Sequence, residues 1–209
     1  MTYKDILQSD YFFDTYSQIE FLKKDFPVNH GFVHVWHVVK WAKTLSQFFH
    51  LTDEETELLL IASVLHDIGY LNGREEHAKS GAIDAKAFLQ GKTSKNIERI
   101  CSAIANHGGE DAECFKDNVS MCLVLADKFD FDKTRYRHDD NHKSVNLFLT
   151  IEKTELVSVD GKNYFKIHTT NPEIFTDLQN NHFFKKLNRV LDNLFVSRNI
   201  KIEIKFEKV

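Results

Sequence analysis

The 209-residue chain has only 2 prolines, 8 glycines and 3 cysteines, and each scarcity excludes something. Few prolines and glycines mean few obligatory breaks, so long helices are expected. Cys101, Cys114 and Cys122 form no Cys-x-x-Cys, and their odd number leaves one unpaired in any disulfide scheme. A reduced, cytoplasmic compartment is the expectation, with Cys101 and Cys122 as small core residues. No run approaches the roughly 18–20 apolar residues of a membrane-spanning helix. The N-terminal MTYKDILQSDYFFD scatters acids where a signal peptide would carry an apolar core. No membrane partner is therefore expected. Excess positive charge is also missing. A formal net charge of −4 leaves no basic footprint for nucleic acid, so a small-molecule substrate is the default.

What the chain does have is histidine, 11 in all, set in an ordinary background of 42% hydrophobic and 28% charged residues. Residues from about 3 to 135 carry helical periodicity. His34, Val38, Trp41, Leu45 and Phe48 share one stripe. LTDEETELLLIASVLHDIG opens with Thr52 and Glu55, a capping-box pattern, and is expected to stop at Gly69. A helix from about Glu75 to Gln90 carries His77, Gly81, Asp84 and Phe88 in line. Another starts at Thr93 or Ser94 and stops at Gly108-Gly109, and NVSMCLVLADKFDF supplies one more buried helix. After His142 the pattern changes. Val145, Leu147, Leu149 and Ile151 alternate as in a strand, Asp160-Gly161 marks a hairpin, and Asn171-Pro172 opens a helix. Ile200, Ile202, Ile204 and Phe206 then alternate strictly. The expected fold is mainly α over residues 1–140, followed by a small α+β unit of β-β-α-β order over 141–209. The final strand is a candidate sheet edge, and its pairing with a second copy would make a homodimer.

Several polar groups sit where apolar residues belong. His34 lies on the stripe with Val38 and Trp41, His66-Asp67 ends the run from Leu58 to Leu65, and Asp127 follows Leu-Val-Leu-Ala. Burying such groups unpaired is costly. Taken singly, each fits a hydrogen-bonded core histidine or a capping aspartate. Together, from separate helices, they form a mixed N/O donor set suited to a divalent ion.

These residues carry a resemblance. His34, His66-Asp67 and Asp127, in that order on helices, resemble the H…HD…D signature of the HD-domain metal-dependent phosphohydrolases, over roughly residues 28 to 135. Val38 and Ala42 follow His34 as in the first-histidine helix of that superfamily, while LHDIGY and LADKFD resemble its second and last motifs. The resemblance implies an HD-domain helical bundle in which His34, His66, Asp67 and Asp127 hold a metal, with Asp67 and His66 as the catalytic pair. The run from Ala103 to Tyr136 is similar to the corresponding stretch of bacterial HD-domain dinucleoside tetraphosphate hydrolases. By that similarity Asp67 would bridge two ions, with His77 and His107 holding the second. The alternative makes those two histidines phosphate contacts beside a single ion.

A bound ion lowers the pKa of water from 15.7 towards about 7 and neutralises phosphoryl oxygens. Mn, Fe, Co, Ni or Mg, as one or two divalent ions, would serve. Lys128, Arg135, Arg74 and Lys79 are the candidate contacts to the rest of a phosphorylated, nucleotide-like substrate. His30 and His37 stand near the same mouth in an outer role, and His50, His138, His142, His168 and His182 are expected at the surface or an interface. A metal-dependent phosphohydrolase is the leading expectation. An HD-fold di-iron oxygenase and a non-catalytic nucleotide-sensing regulator are the alternatives.

Overall fold

A computed structural model of the chain describes residues 1–139, 143–171 and 181–209, with the backbone alone at Lys143 and Ser144. It is mainly helical, with a small sheet near the C-terminus. Among the described residues no helix is long and apolar enough to cross a membrane.

The helical part is built round α4 (Asp53–Leu65). Thr52 and Glu55 form the expected capping box: the Glu55 N–H donates to Thr52 Oγ1 and the Thr52 N–H to Glu55 Oε2, both at 3.2 Å. The acidic first turn, Asp53 to Glu55, complements the positive end of the helix. Every residue from Leu58 to Leu65 is buried, so this helix needs neighbours on all sides. It finds them in α3 (Phe32–Phe48), α6 (Ile97–Ala105) and α7 (Asn118–Lys128). Arg99 ties three helix starts together, donating to Glu55 at 2.8 Å and to Asp117, the cap of α7, at 2.6 Å. The short α1 (Tyr3–Leu7) and α2 (Asp10–Leu22) lie outside this group, and the buried Tyr16 hydroxyl donates to the Val64 carbonyl at 2.8 Å.

Some boundaries differ from the periodicity. Helix α4 ends at Leu65, short of Gly69, and a separate 3₁₀ turn runs from Ile68 to Asn72. The reason lies in the following element. A Cβ on Gly69 would stand 2.0 Å from the His77 carbonyl oxygen and 2.5 Å from the Gly81 nitrogen, so the turn presses directly on the backbone of α5 (His77–Leu89). Helix α6 begins after Asn96, whose side chain caps Arg99 N at 3.0 Å, not at Thr93 or Ser94.

Residues expected to open the first strand, Val145 to Leu149, are instead the helical turn α8 (Lys143–Asn146) and a 3₁₀ turn, Leu147–Thr150. Val145 and Phe148, three residues apart, are the buried pair, which is helical spacing. Strand β1 (Ile151–Val159) pairs antiparallel with β2 (Lys162–Thr169). Asp160 and Gly161 join them with φ of 52° and 73°, the left-handed pair that a two-residue hairpin requires. Helix α9 (His182–Arg198) then crosses over to β3 (Ile202–Lys208), which runs parallel to β2 and makes the order β1-β2-β3. The proposed helix start at Asn171-Pro172 falls on 172–180, outside the described residues. Helix α9 starts at His182, and its cap is Asn181, in extended backbone, which accepts from Phe183 N at 2.8 Å, so no unbroken helix runs through Asn181.

The sheet and α9 pack on the helices. Phe165 of β2 stacks on Phe129 at 4.2 Å and meets Trp41 at 5.7 Å, and Phe131 stacks on Phe148 at 5.3 Å. Asn193 of α9 donates to the Gly109 carbonyl at 3.1 Å, and Arg198 reaches Asn118 Oδ1 at 3.1 Å. Phe165 is fully buried. Phe165→Ala is therefore expected to cost about 3–5 kcal/mol of stability, read as a lower urea midpoint at unchanged slope.

Candidate metal centre

The imidazoles of the site are set by helix ends. Helix α4 stops just before His66, whose Nδ1 lies 2.9 Å from the Ser63 carbonyl oxygen. His107 follows the end of α6 and places Nδ1 2.7 Å from the Ile104 oxygen. His77, at the start of α5, does the same with Arg74 at 2.9 Å. In each case the ring turns back on a carbonyl three residues earlier, before a helix start or in the last turn of a helix, and the Ile104 oxygen also accepts from the His107 N–H at 3.3 Å. A carbonyl has no proton to give, so Nδ1 carries the hydrogen and the neutral ring leaves Nε2 bare. His34, inside α3, reaches the same state through Asp130, whose Oδ2 is 2.7 Å from its Nδ1.

These bare nitrogens converge on Asp67. His34 Nε2 lies 3.2 Å from His66 Nε2 and 3.2 Å from Asp127 Oδ1. Asp67 Oδ2 stands 3.2 Å from His66 Nε2 and 3.5 Å from His34 Nε2. On the other side, Asp67 Oδ1 is 3.6 Å from both His77 Nε2 and His107 Nε2, which are 3.1 Å apart. One carboxylate thus faces two donor groups, one oxygen to each. Two lone pairs cannot bond to each other at 3.1–3.2 Å without a positive charge between them. Ligand atoms held about 2.1 Å from a first-row divalent ion sit about 3.0–3.4 Å from one another, so the spacing fits such ions. The ends of α4, α6 and α7 also turn their negative poles toward this point.

The titration behaviour agrees with a site that draws positive charge. Burial works against the Asp67 anion, but the His66 charge and hydrogen bonds from His30 and His66 hold its carboxyl well below the usual range. Burial likewise opposes Asp127, and Lys128, His34 and Arg135 outweigh it. Burial disfavours protonation of His66, yet Asp67 raises its pKa. His30 and His107 behave oppositely: burial pushes them down to about 4 and about 3, leaving both neutral near pH 7.

Around the donors lies a brace of residues, of which Asp130 and Tyr70 were not assigned by sequence reasoning. Asp130, fully buried, accepts from His34 and stands 2.9 Å from His37 Nδ1. It lies just past the end of α7, three residues after Asp127, where no helical pattern marks it. Arg135 lies buried with Nη1 3.1 Å from the Asp130 carbonyl and Nη2 3.7 Å from Asp127 Oδ1. His30 is closer in than expected: its Nδ1 is 3.0 Å from Asp67 Oδ2, and the Tyr70 hydroxyl lies 3.4 Å from its other nitrogen. His37 stays in the outer position expected of it.

A cavity of about 650 Å³ opens over these groups. Of the expected cations, Arg74, Lys128 and Arg135 line it, and Lys128 pairs with Asp127. Lys79 does not. It is 69% exposed and pairs with Glu76 at 2.7 Å, because its position on α5 faces away from His77's side. Lys186, Arg189 and His182 of α9 line the same cavity, His182 as the exposed residue expected. Their contribution has no sequence signal, since α9 lies far along the chain from the donor groups.

Residues 31–132 match the family model of the HD domain. The chain carries an HD domain. The matched segment runs from just before α3 past the end of α7 and includes His34, His66, Asp67, His77, His107, Asp127 and Asp130, while His30, which groups with His34 and Asp67, lies just before it. HD domains as a family are generally metal-dependent hydrolases and bind divalent metals. Arg135 and α9 lie beyond the matched HD segment. No curated protein matches the chain.

Asp130→Asn keeps the shape and removes the charge behind His34, so metal affinity is expected to fall about 10–100-fold in competition with a chelating dye. In chelator, stability should fall as pH drops from about 6.5 to 4. His30 and His107 take up protons in that window when unfolded but not when folded, and His182, also lowered, adds in the same sense. His66 and His37, raised, act above the window, and the depressed carboxylates act below it. Urea unfolding across that range checks the slope.

Proposed function

We propose that the chain is a metal-dependent phosphohydrolase that cleaves a phosphoester or phosphoanhydride of a nucleotide-like substrate. The observation that carries the reading is the Asp67 carboxylate, with one oxygen 3.5 Å from His34 Nε2 and 3.2 Å from His66 Nε2, where Asp127 also meets His34, and the other 3.6 Å from His77 and His107, in a cavity with cationic walls. His34, His66, Asp67 and Asp127 would hold one divalent ion. His77 and His107, with Asp67 shared, would hold a second. Such ions supply a water of lowered pKa and neutralise charge on the phosphoryl oxygens.

The chain's own residues do the rest. Asp130 and the Ser63, Ile104 and Arg74 carbonyls each accept a hydrogen bond from an Nδ1–H, which fixes the rings with Nε2 inward. His30, neutral near pH 7, holds Asp67 in place through Nδ1 and accepts from Tyr70. Lys128 occupies Asp127 Oδ2 and leaves Oδ1 facing the imidazoles. Arg74 supplies a cation for phosphoryl oxygens. Phe26, Tyr70, Phe131 and Phe183 give the cavity an apolar wall of the kind a nucleoside packs against.

Metal analysis of the purified chain, paired with phosphate release from a nucleotide panel with and without chelator, tests the reading. Release is expected, and chelator abolishes it. Asp67→Asn should cost more than the about 10–100-fold typical of outer-sphere changes, because it disturbs both donor groups at once. Dioxygen consumption by the iron-loaded chain, with no phosphate released, would instead make it an oxygenase. Full activity in His66→Ala would leave a nucleotide-binding regulator.

A further inference from the structure

The cavity carries more positive charge than its donor carboxylates answer. Asp127 pairs with Lys128 and stands near Arg135. Lys186 and Arg189, about one turn apart on α9, have no comparable partner. Among the described residues Lys186 makes no ion pair or hydrogen bond. The nearest carboxylate to Arg189 is Glu110, at 3.8 Å and on a side chain 79% exposed, and the buried Arg189 Nε has no hydrogen-bond partner among the described residues. Arg74 lines the same wall. Apart from Asp130 and the donor groups, the carboxylates lining the cavity are Asp25 and Glu110. The cations also feel one another: burial first, then Lys128, Arg74 and Arg189, make the Lys186 ammonium easier to discharge, against the pull of Asp127. Uncompensated like charge at a half-buried wall opposes folding unless an anion meets it.

We infer that Lys186 and Arg189, with Arg74, form a second anion subsite, which takes a phosphoryl group other than the one over Asp67. The substrate class is then a nucleoside diphosphate or longer polyphosphate, and a monophosphate would leave this wall unanswered. The inference rests on the hydrolase reading above and narrows its substrate. It also gives α9, outside the matched HD segment, a direct part in substrate choice.

Isothermal titration of the full chain, loaded with Mn²⁺ at a fixed free level, compares inorganic diphosphate with inorganic phosphate. One diphosphate per chain is expected, bound at least about tenfold more tightly than phosphate. Lys186→Gln with Arg189→Gln should shrink that preference to under about threefold, whereas Lys185→Gln, exposed on the same helix, should leave it intact. Each single variant is expected to lose part of it, which keeps the test decisive if the double variant does not fold. The subsite is overturned if the variants, folded by circular dichroism, keep the wild-type preference, or if the wild type has none. It is overturned equally if two separate phosphates bind per chain without a gain for diphosphate, since the wall would then hold a free anion. If no nucleotide releases phosphate but the preference still falls in the variants, the hydrolase reading fails and the subsite stands. Phosphate release with an unchanged preference sinks the subsite alone.

Discussion

Everything at the centre depends on where the imidazole protons are. A histidine can offer a lone pair only from the nitrogen that has lost its hydrogen, and four rings here give the Nδ1 hydrogen to an oxygen that can only accept. Three of those oxygens are backbone carbonyls three residues back in the chain. The bare Nε2 atoms then face Asp67 from both sides. Without a cation the alternative is protonation, and the raised pKa of His66 beside depressed Asp67 and Asp127 expresses that same demand.

The fold meets the constraint by ending helices at one point. The buried helix α4 stops at Leu65 and delivers His66-Asp67, and α6 ends just before His107. Asp127 sits in the last turn of α7. His77 arrives from a helix start, which requires α5 to lie almost against the turn after Asp67. That approach is possible because Gly69 and Gly81 have no side chains between the two backbones. Any larger residue at Gly69 would meet the His77 carbonyl directly. The C-terminal layer adds a different element. Phe165 seals the sheet onto Trp41 and Phe129, and α9 brings Lys186 and Arg189 to a cavity whose floor belongs to other helices.

Much of this was legible in the chain itself. Helical stripes placed His34, and the apolar run from Leu58 exposed His66-Asp67 as an anomaly, because burial makes a misplaced polar group conspicuous. The Thr52-Glu55 cap and the Asp160-Gly161 hairpin were readable as well, since both depend on neighbours a few residues apart. Local chemistry misled at Val145 to Leu149, where an alternating pattern is also compatible with a helical turn burying Val145 and Phe148. It misplaced the start of α6 because Thr93, Ser94 and Asn96 can all cap.

By itself, then, the sequence determined which residue types had to be explained together and the helical order in which they occur, because periodicity and capping act over short stretches of chain. Only the tertiary structure decided that Asp67 divides its oxygens between two imidazole groups. It alone decided that Asp130 and Arg135 brace them, that Lys79 points elsewhere, and that α9 supplies cations. Those facts turn on distances across the chain, such as the 96-residue separation between His34 and Asp130, and no local pattern encodes them.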